Sequence, residues 1–386
     1  MARIAFATVG SAGDLFPLIP IAQRLIANGD IVDWIVPRSL GLYLRHCGLA
    51  AQSYGDGSEL RAVNDDRLYS TDYFGWRSWS RTVNDYVLPT LAADVAVIED
   101  RLDRLKPDVV VTSGFAVAAR VAAFRRQTVQ VECSIYPQHK RLALERSSFG
   151  SALRRWVSQL ARTDDRAVVT RLAWGAPADV RLHDAALCRD EHSVGFPYWD
   201  ALPFHHKDAA AILAHLRNAA DRPTVLCTLG SFVGVAAQST WAQLAEAVTA
   251  TNVQAVFVGG AKVPAHHANE HILTVGYVPL SETVQHFDVV VHHGGLGTTF
   301  AALRAGRPAV VVPHAFDQPY NARLVEEANV GVDAQRCGIL TALIRALNDE
   351  SIRRTAARVG ADLVPTDVAA ERSANRIMQF IDRSTA

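Results

Sequence analysis

Runs of consecutive apolar residues alternate with helical periods along the first half of the chain. One run covers residues 4–9; a turn with two glycines follows it, and apolar residues then recur at helical spacing over 18–26. Similar runs cover residues 31–36, 109–112 and 129–133. Strands that are apolar at every position are typical of a parallel sheet with helices on both faces. The pattern therefore predicts an α/β first half.

The regular pattern stops near residue 195 and starts again at residue 224. Prolines, two adjacent histidines and the triplet Asp221-Arg222-Pro223 interrupt it, which indicates a linker. We therefore predict two Rossmann-like parallel-sheet domains facing across a cleft, with ligands bound beyond the carboxyl ends of the strands. The predicted bounds are 1–200 for the first domain, 201–222 for the linker, 223–366 for the second domain and 367–386 for a C-terminal helix that can pack back on the first domain.

Composition excludes several classes of function. The 386 residues include 39 Lys and Arg and 39 Asp and Glu, so no excess charge favours nucleic acid or an acidic membrane surface as a partner. The five cysteines never form a C-x-x-C pair, which argues against a disulfide framework and a zinc module. No apolar stretch approaches the ~18 residues of a membrane helix, and the apolar run at the amino terminus is too short for a secretion signal. We expect a cytoplasmic protein without a transmembrane segment.

A glycine-rich segment follows the apolar run at 289–292. It reads His-His-Gly-Gly-Leu-Gly-Thr-Thr over 292–299 and opens a predicted helix. Glycines let a backbone approach a ligand closely, and the amino terminus of a helix favours phosphate. With the imidazole of His293 and the hydroxyl of Thr298, the segment suits a pyrophosphate. The alternative is an ordinary strand-to-helix turn with a capping threonine.

A second polar segment follows the next apolar run. Asp317 and Gln318 lie side by side where a strand is expected to end, and this pairing can hold the vicinal hydroxyls of a sugar. Asp317 is also placed to be the N-cap of the following helix, which is the alternative role.

Together these segments resemble the donor-binding signature of the family 1 nucleotide-sugar glycosyltransferases of the GT-B fold, especially bacterial members that decorate natural products. The likeness rests on the H-G-G-x-G-T motif, the P-x-x-x-D-Q element and Asn321. It extends to the opening loop at 10–17, to Leu229-Gly230-Ser231 and to the segment Gly-Tyr-Val-Pro-Leu at 276–280. Four motifs occur in the order typical of the family.

The resemblance implies a role for each matching residue. His293 would contact the diphosphate with Gly295, Gly297 and Thr298, and Ser231 would lie on the opposite wall. Tyr277 would stack on the nucleobase, Val278 would touch the base edge through its backbone, and Leu280 would line that pocket. Asp317 and Gln318 would hold sugar hydroxyls, and Ser11 and Gly13 complete the donor side. Two positions depart from the family: Ala301 stands where a ribose-binding Glu is common, and Tyr277 stands where many members have Trp.

Asp14 is the predicted catalytic residue. Its carboxylate would accept a proton from the attacking hydroxyl, which is lost late in an oxocarbenium-like displacement. The alternative is that Asp14 only caps a helix that begins near Phe16. The aromatic residues between 54 and 86, among them Phe74 and Trp76, predict a wall for a planar or apolar acceptor, although helix packing also explains them. His139 is a further candidate acceptor contact, and a surface histidine is the alternative.

The function that follows is an inverting transfer of a hexose or deoxyhexose from a UDP- or dTDP-sugar to a hydroxyl of a small, largely apolar acceptor of aromatic or polyketide-like character. No metal ion or other cofactor is expected, because the chain has no D-x-D or H-E-x-x-H motif. Two alternatives stay open: a nucleotide-sugar epimerase of the same fold, and a catalytically silent protein that binds a nucleotide sugar and supports another enzyme.

Overall fold

The computed structural model describes two six-stranded sheets in which every pairing between neighbouring strands is parallel. The first sheet has the strand order β3-β2-β1-β4-β5-β6, and the second has the order β12-β11-β10-β7-β8-β9. The predicted fold class, two Rossmann-like α/β domains, is therefore confirmed. The residues that the structure describes are 1–55, 88–135, 148–175, 179–188, 192–200, 206–217, 222–230, 238–259, 263, 270–314 and 317–385.

The strands are Arg3–Ala7 (β1), Ile31–Pro37 (β2), Ala51–Tyr54 (β3), Val109–Ser113 (β4), Val129–Ser134 (β5), Val180–Arg181 (β6), Thr224–Thr228 (β7), Gln254–Val258 (β8), Ile272–Val275 (β9), Val289–His292 (β10), Ala309–Val311 (β11) and Gly331–Asp333 (β12). The helices of the first part of the chain are Ala12–Leu15 (α1), Leu18–Ala27 (α2), Arg38–His46 (α3), Leu88–Leu105 (α4), Val117–Arg125 (α5), Ser148–Ala161 (α6), Arg166–Trp174 (α7), Ala185–Cys188 (α8) and His206–Arg217 (α9).

The helices of the second part are Gln238–Thr251 (α10), Leu280–Thr283 (α11), Leu296–Arg304 (α12), Gln318–Glu327 (α13), Ala334–Cys337 (α14), Ile339–Asn348 (α15), Glu350–Asp362 (α16) and Thr366–Thr385 (α17). A short 3₁₀ turn, Val284–His286, follows α11. Among the described residues, no helix combines the length and the hydropathy needed to cross a bilayer.

Alternate residues of each central strand enter different cores. In β1, Ala5 packs with α4 and α5 on one face of the first sheet, whereas Ile4 and Phe6 pack with α2 and α3 on the other. In β7 of the second sheet, Val225 and Leu226 divide in the same way. Burial on both faces explains why the strands are apolar at consecutive positions.

Each sheet has one point where neighbouring strands send the chain in opposite directions. In the first sheet this point lies between β1 and β4, and in the second it lies between β7 and β10. The loops that follow these strands diverge and leave a crevice at the carboxyl edge, which is where open α/β sheets bind ligands. Asp14 follows β1, while Gly230 follows β7 and His293 follows β10.

Several contacts join the two halves of the chain. Phe196 stacks on Phe300 of α12 with 4.4 Å between ring centroids, and Arg304 donates a hydrogen bond to the Phe196 carbonyl. The buried carboxylate of Asp184 accepts a hydrogen bond from the Val364 N–H at 2.8 Å. Residues just before the predicted linker therefore pack on the second sheet's helices.

Helix α17 follows the second domain and packs on the first. Its Ala374 and Ile377 are fully buried in the same core as Ile4 and Phe6, and Arg24 of α2 pairs with Glu371 at 2.9 Å.

Part of the predicted linker is helical. Helix α9, His206–Arg217, lies within 201–222; it contacts β9, and its Ile212 is buried in the same core as residues of β7 and β8. The adjacent histidines and the triplet Asp221-Arg222-Pro223 led to the linker prediction, although seven of the twelve residues of α9 are apolar. The domain bounds themselves stay a prediction.

Candidate active site

Asp14 lies in the turn after β1 and is only 6% exposed. Ser11 is the N-cap of α1, and its hydroxyl accepts a hydrogen bond from the Gly13 N–H at 3.2 Å. The Asp14 Oδ2 atom accepts hydrogen bonds from the Ser11 N–H at 2.8 Å and from the Ser11 hydroxyl at 3.2 Å. Asp14 therefore does cap a helix, but it does so from the third position of α1 in a capping box, and not as the N-cap of a helix beginning near Phe16.

A hydroxyl pair lies between the strands on either side of this crevice. Thr8, next after β1, donates a hydrogen bond to Ser113 at the end of β4, with 2.7 Å between the oxygens, and both residues are buried. This hydrogen bond links the carboxyl ends of β1 and β4, next to the turn that contains Asp14.

The imidazole of His293 lies between two glycines. A Cβ atom at Gly230 would stand 2.7 Å from its Nε2, and a Cβ atom at Gly295 would stand 2.5 Å from the same atom. Gly230 also has φ +73°, a backbone conformation that other residues rarely adopt. Only glycine therefore fits at both positions while the ring keeps its place.

His293 is uncharged at neutral pH. Burial is the main cause that lowers its pKa to about 3; His292 and His314 lower it further, and a hydrogen bond to the Thr228 backbone raises it. The Nδ1 atom is buried and has no hydrogen-bond partner in the described part of the chain. Helix α12 begins directly beyond it, with Gly295 as an N-cap that offers no side chain, so neither Thr298 nor Thr299 is the N-cap.

His292 stabilises the glycine-rich turn between β10 and α12. It is fully buried, and its Nδ1 accepts a hydrogen bond from the Gly294 N–H at 3.0 Å. Burial lowers the pKa of His292 to about 3, so it accepts this bond as a neutral ring. Gly294 has φ +96°, and a Cβ there would approach the Gln318 carbonyl to 3.0 Å, so the turn needs glycine for its conformation and for its space.

Asn321 joins the two polar segments that the sequence places apart. Its amide nitrogen donates to the Gly294 carbonyl and to Asp317 Oδ2, both at 2.8 Å. Asp317 is at the N-cap position of α13, but its side chain makes no capping hydrogen bond. The alternative that Asp317 is the N-cap residue is therefore confirmed in position, but its carboxylate is turned toward Asn321 and not to the helix N–H groups.

Gln318 and His314 are coupled at the end of β11. Gln318 is buried, and its Oε1 accepts a hydrogen bond from the His314 N–H at 2.8 Å. That oxygen is therefore engaged with the backbone, and the role of Gln318 in holding a sugar hydroxyl stays a prediction. Burial lowers the pKa of His314 to about 4. His314 is not among the predicted site residues, although its place within the P-x-x-x-D-Q element was a signal for a role there.

Four buried polar atoms at this edge of the second sheet have no hydrogen-bond partner within the described ranges: His292 Nε2, His293 Nδ1, His314 Nε2 and Asn321 Oδ1. Buried polar groups are nearly always paired, so such a concentration indicates a place where a polar ligand supplies the missing partners. Neutral imidazoles and an amide oxygen suit phosphate and hydroxyl groups.

Tyr277 and its neighbours lie beside the same domain's carboxyl edge. The Tyr277 hydroxyl donates to the Asp200 carbonyl at 2.6 Å, and burial raises its pKa. The Val278 side chain is buried in the core, which leaves only its backbone to contact a ligand. Leu280 begins α11 and is half-buried. Nothing in the sequence indicated that Asp200 would lie here, because it is 77 residues from Tyr277.

Some predicted residues lie outside those that the structure describes: Ser231, Phe74, Trp76 and His139. Within the described ranges, no group of three or more His, Cys, Asp or Glu side chains is arranged to hold a metal ion.

Comparison with known proteins adds independent findings. Residues 245–379 match the family model of the erythromycin biosynthesis protein CIII-like C-terminal domain. The tylactone mycaminosyltransferase of Streptomyces fradiae is 30% identical over 133 residues, which are 33% of this chain and 27% of that protein. The elloramycin glycosyltransferase ElmGT of Streptomyces olivaceus is 37% identical over 106 residues, or 26% of this chain and 27% of that protein. The matched segments thus span about a quarter of these relatives.

The fold is shared along the whole chain. The glycosyltransferase of kitacinnamycin aligns with a TM-score of 0.74 and 19% identity, covering 98% of this chain and 99% of that structure. The glycosyltransferase VinC, solved in complex with dTDP, aligns with a TM-score of 0.70 and 19% identity, covering 99% and 100%. At this identity the likeness is one of fold. The predicted resemblance to the family 1 GT-B glycosyltransferases of the bacterial natural-product type is thereby confirmed: residues 245–379 match a family model from this group, and the whole chain shares the fold of its solved members.

Proposed function

We propose that the protein is an inverting glycosyltransferase that moves a hexose or deoxyhexose from a UDP- or dTDP-sugar to a hydroxyl of a small, largely apolar acceptor. The observation that carries this proposal is His293. Its buried Nδ1 lacks a partner among the described residues, its ring is fixed between Gly230 and Gly295, and α12 begins beside it without a side-chain cap. This arrangement suits a diphosphate.

In the proposed reaction, the carboxylate of Asp14 accepts the proton of the acceptor hydroxyl as its oxygen attacks the anomeric carbon of the sugar. The bond between that carbon and the diphosphate oxygen breaks, and the nucleoside diphosphate leaves with the bonding electrons. Attack on one face by one base gives inversion without a covalent intermediate. His293 and the backbone N–H groups at the start of α12 stabilise the charge of the leaving diphosphate.

The other predicted site residues would bind the sugar and the nucleobase of the donor. Asp317, Gln318 and Asn321 lie at the adjacent strand end, where the sugar hydroxyls would reach. Tyr277, Val278 and Leu280 would hold the nucleobase, and the dTDP bound in VinC supports a nucleoside diphosphate as ligand here. The proposal assigns no metal ion to the reaction, because the leaving group is stabilised by protein groups alone.

Binding and turnover test the proposal separately. Calorimetric titration of the wild-type protein with UDP and dTDP should show binding of at least one. His293→Ala should weaken that binding by about 10- to 100-fold, the effect of losing a hydrogen bond to a charged group. His286→Ala, at an exposed position of the same domain, is the matched control and should leave affinity unchanged.

Turnover is measured as nucleoside diphosphate released from UDP- and dTDP-sugars in the presence of aromatic and polyketide-like alcohols. Release that depends on the acceptor supports transfer. Tight binding without release over a broad set of donors and acceptors would instead favour the catalytically silent protein, and conversion of the donor without any acceptor would favour the epimerase.

A further inference from the structure

We infer that Asp200 is a positioning residue for the nucleobase: it fixes the segment 277–281 whose residues would contact the base. This inference rests on the proposed function, since it concerns the same donor site. Asp200 lies at the end of the predicted first domain, 77 residues before Tyr277 and 81 before Ser281.

Asp200 binds both ends of the segment. Its Oδ2 accepts a hydrogen bond from the Ser281 N–H at 2.8 Å, and its Oδ1 accepts one from the Ser281 hydroxyl at 2.6 Å. At the other end, the Tyr277 hydroxyl donates to the Asp200 carbonyl at 2.6 Å. The residues between these two anchors, among them Val278 and Leu280, are thereby held at a fixed distance from Asp200.

The carboxylate replaces a missing helix cap. Pro279 is the N-cap residue of α11 and makes no side-chain capping hydrogen bond. Asp200 supplies that bond from a remote part of the chain, because it accepts from Ser281, the second residue of α11. A carboxylate only 7% exposed is costly unless it is hydrogen-bonded. The Tyr198 hydroxyl donates a third hydrogen bond to the Asp200 carboxylate at 2.6 Å. The position of the carboxylate is therefore itself fixed by a neighbouring side chain.

The same stretch of chain also contacts the turn that carries Asp14. Trp199 packs edge-to-face on Phe16 with 4.9 Å between ring centroids, and Phe16 packs in the same way on Tyr43 at 5.4 Å. Residues 198–200 therefore contact the predicted base-binding segment on one side and the end of α1 on the other. A shift of Asp200 would move the base contacts relative to the predicted catalytic carboxylate.

The experiment separates the nucleobase from the diphosphate. The dissociation constants of UDP, dTDP and inorganic pyrophosphate are measured by calorimetry for the wild-type protein and for Asp200→Ala. We expect the constant for whichever nucleoside diphosphate the wild type binds to rise by about tenfold, because the two hydrogen bonds from Ser281 to the carboxylate are lost. The constant for pyrophosphate should change by less than about twofold, because in the described part of the chain Asp200 is hydrogen-bonded to Tyr198, Tyr277 and Ser281 and not to the His293 site. Equal weakening of both ligands, or no change in either, would overturn the inference.

Two further variants distinguish positioning from a general loss of structure. Ser281→Ala removes only the bond to Oδ1 and should weaken nucleoside diphosphate binding by about threefold. Tyr198→Phe removes a donor that binds the same carboxylate but lies outside the segment, so affinity should stay within about twofold of the wild type. If Asp200→Ala does not fold, these two variants carry the test, and equal effects from both would overturn the inference.

Failure of the proposed function gives a different result. A wild-type protein that binds neither UDP nor dTDP refutes the nucleotide-sugar site itself, and this inference with it. A wild-type protein that binds, with Asp200→Ala binding equally well, refutes only the role of Asp200.

Discussion

The imidazole ring of His293 fits in its position because Gly230 and Gly295, on either side of it, have no side chain. Gly295→Ala would put a methyl group 2.5 Å from Nε2, although its φ of −66° and ψ of 138° suit alanine. We expect the ring to be displaced, the free energy of unfolding to fall by about 1–3 kcal/mol through overpacking, and affinity for a nucleoside diphosphate to fall. Chemical denaturation and calorimetry measure the two effects.

Gly297→Ala is the matched control for stability. A Cβ at Gly297 meets nothing within 4 Å. Since alanine favours a helix more than glycine does, this variant should be as stable as the wild type or more stable by up to about 1 kcal/mol. Equal stabilities for the two alanine variants would contradict the proposed packing of His293.

The carboxylate of Asp14 can be removed with little change of shape. In Asp14→Asn the side-chain oxygen can still accept the Ser11 N–H bond that Oδ2 now accepts. We expect donor affinity to be retained, while kcat falls by about 10²- to 10⁴-fold with the loss of a general base. Steady-state kinetics together with calorimetry measure this, and a variant with full turnover would remove Asp14 from the catalytic role.

Stability should depend on pH through His292. Its folded-state pKa of about 3 lies below the ordinary value of 6.5, so protonation favours the unfolded state. Its contribution is complete above about pH 6.5 and is lost as the pH falls from there toward 3. His292→Asn keeps an acceptor for the Gly294 N–H but cannot be protonated. It should therefore reduce the loss of unfolding free energy between pH 7 and pH 5 by about 2 kcal/mol.

Urea denaturation at both pH values measures this difference. His286→Asn, at an exposed position, is the control and should behave as the wild type does. If His292→Asn loses as much stability on acidification as the wild type, the ring is not the buried neutral group described above.

At the scale of elements, the sequence predicted the long apolar strands closely and missed some strands that are short or contain polar residues. The predicted run at 109–112 lies within β4, and that at 289–292 coincides with β10, because both strands are buried on two faces. Strand β3 contains Gln52 and Ser53 and lies at a sheet edge, and β12 has only three residues, so neither forms an apolar run. Strand β12 is nevertheless fully buried, so these strands lack a long run of apolar residues and not burial as such.

The same limit applies to the candidate site. His293, Asp317 and Asp14 belong to short motifs that follow predicted strands, so local sequence placed them at the sheet edges. Asp200 and the bond between Asn321 and Gly294 depend on contacts between residues far apart in the chain. No local pattern encodes such contacts, and only the folded chain brings them together.

Helix α17 contributes directly to the core of the first domain. Ile377 is fully buried among residues of α2 and β1. Ile377→Ala should lower the free energy of unfolding by about 2–5 kcal/mol, as for other large-to-small core changes. Arg372→Ala, on the exposed face of the same helix, should change it by less than about 0.5 kcal/mol. Calorimetric melting compares the two, and similar losses would contradict the packing of α17.

At the scale of the whole molecule, two sets of hydrogen bonds hold the segments of chain that pass between the two sheets. The first is the bond from the Val364 N–H to the buried Asp184 carboxylate. The second is Arg304, whose guanidinium donates to the Phe196 and Val364 carbonyls, both at 2.9 Å. Both sets of hydrogen bonds lie where the chain passes from one sheet to the other. We therefore expect any rotation of one domain relative to the other to have its hinge in this region.

The return of α17 to the first domain has a consequence for biosynthesis. The first sheet is synthesised before the second, but the hydrophobic surface that Ala374 and Ile377 cover stays open until the whole second sheet has also been made. During that interval the surface around α2 is exposed to other nascent chains and to chaperones. The core of the first sheet is therefore completed only after α17 has left the exit tunnel.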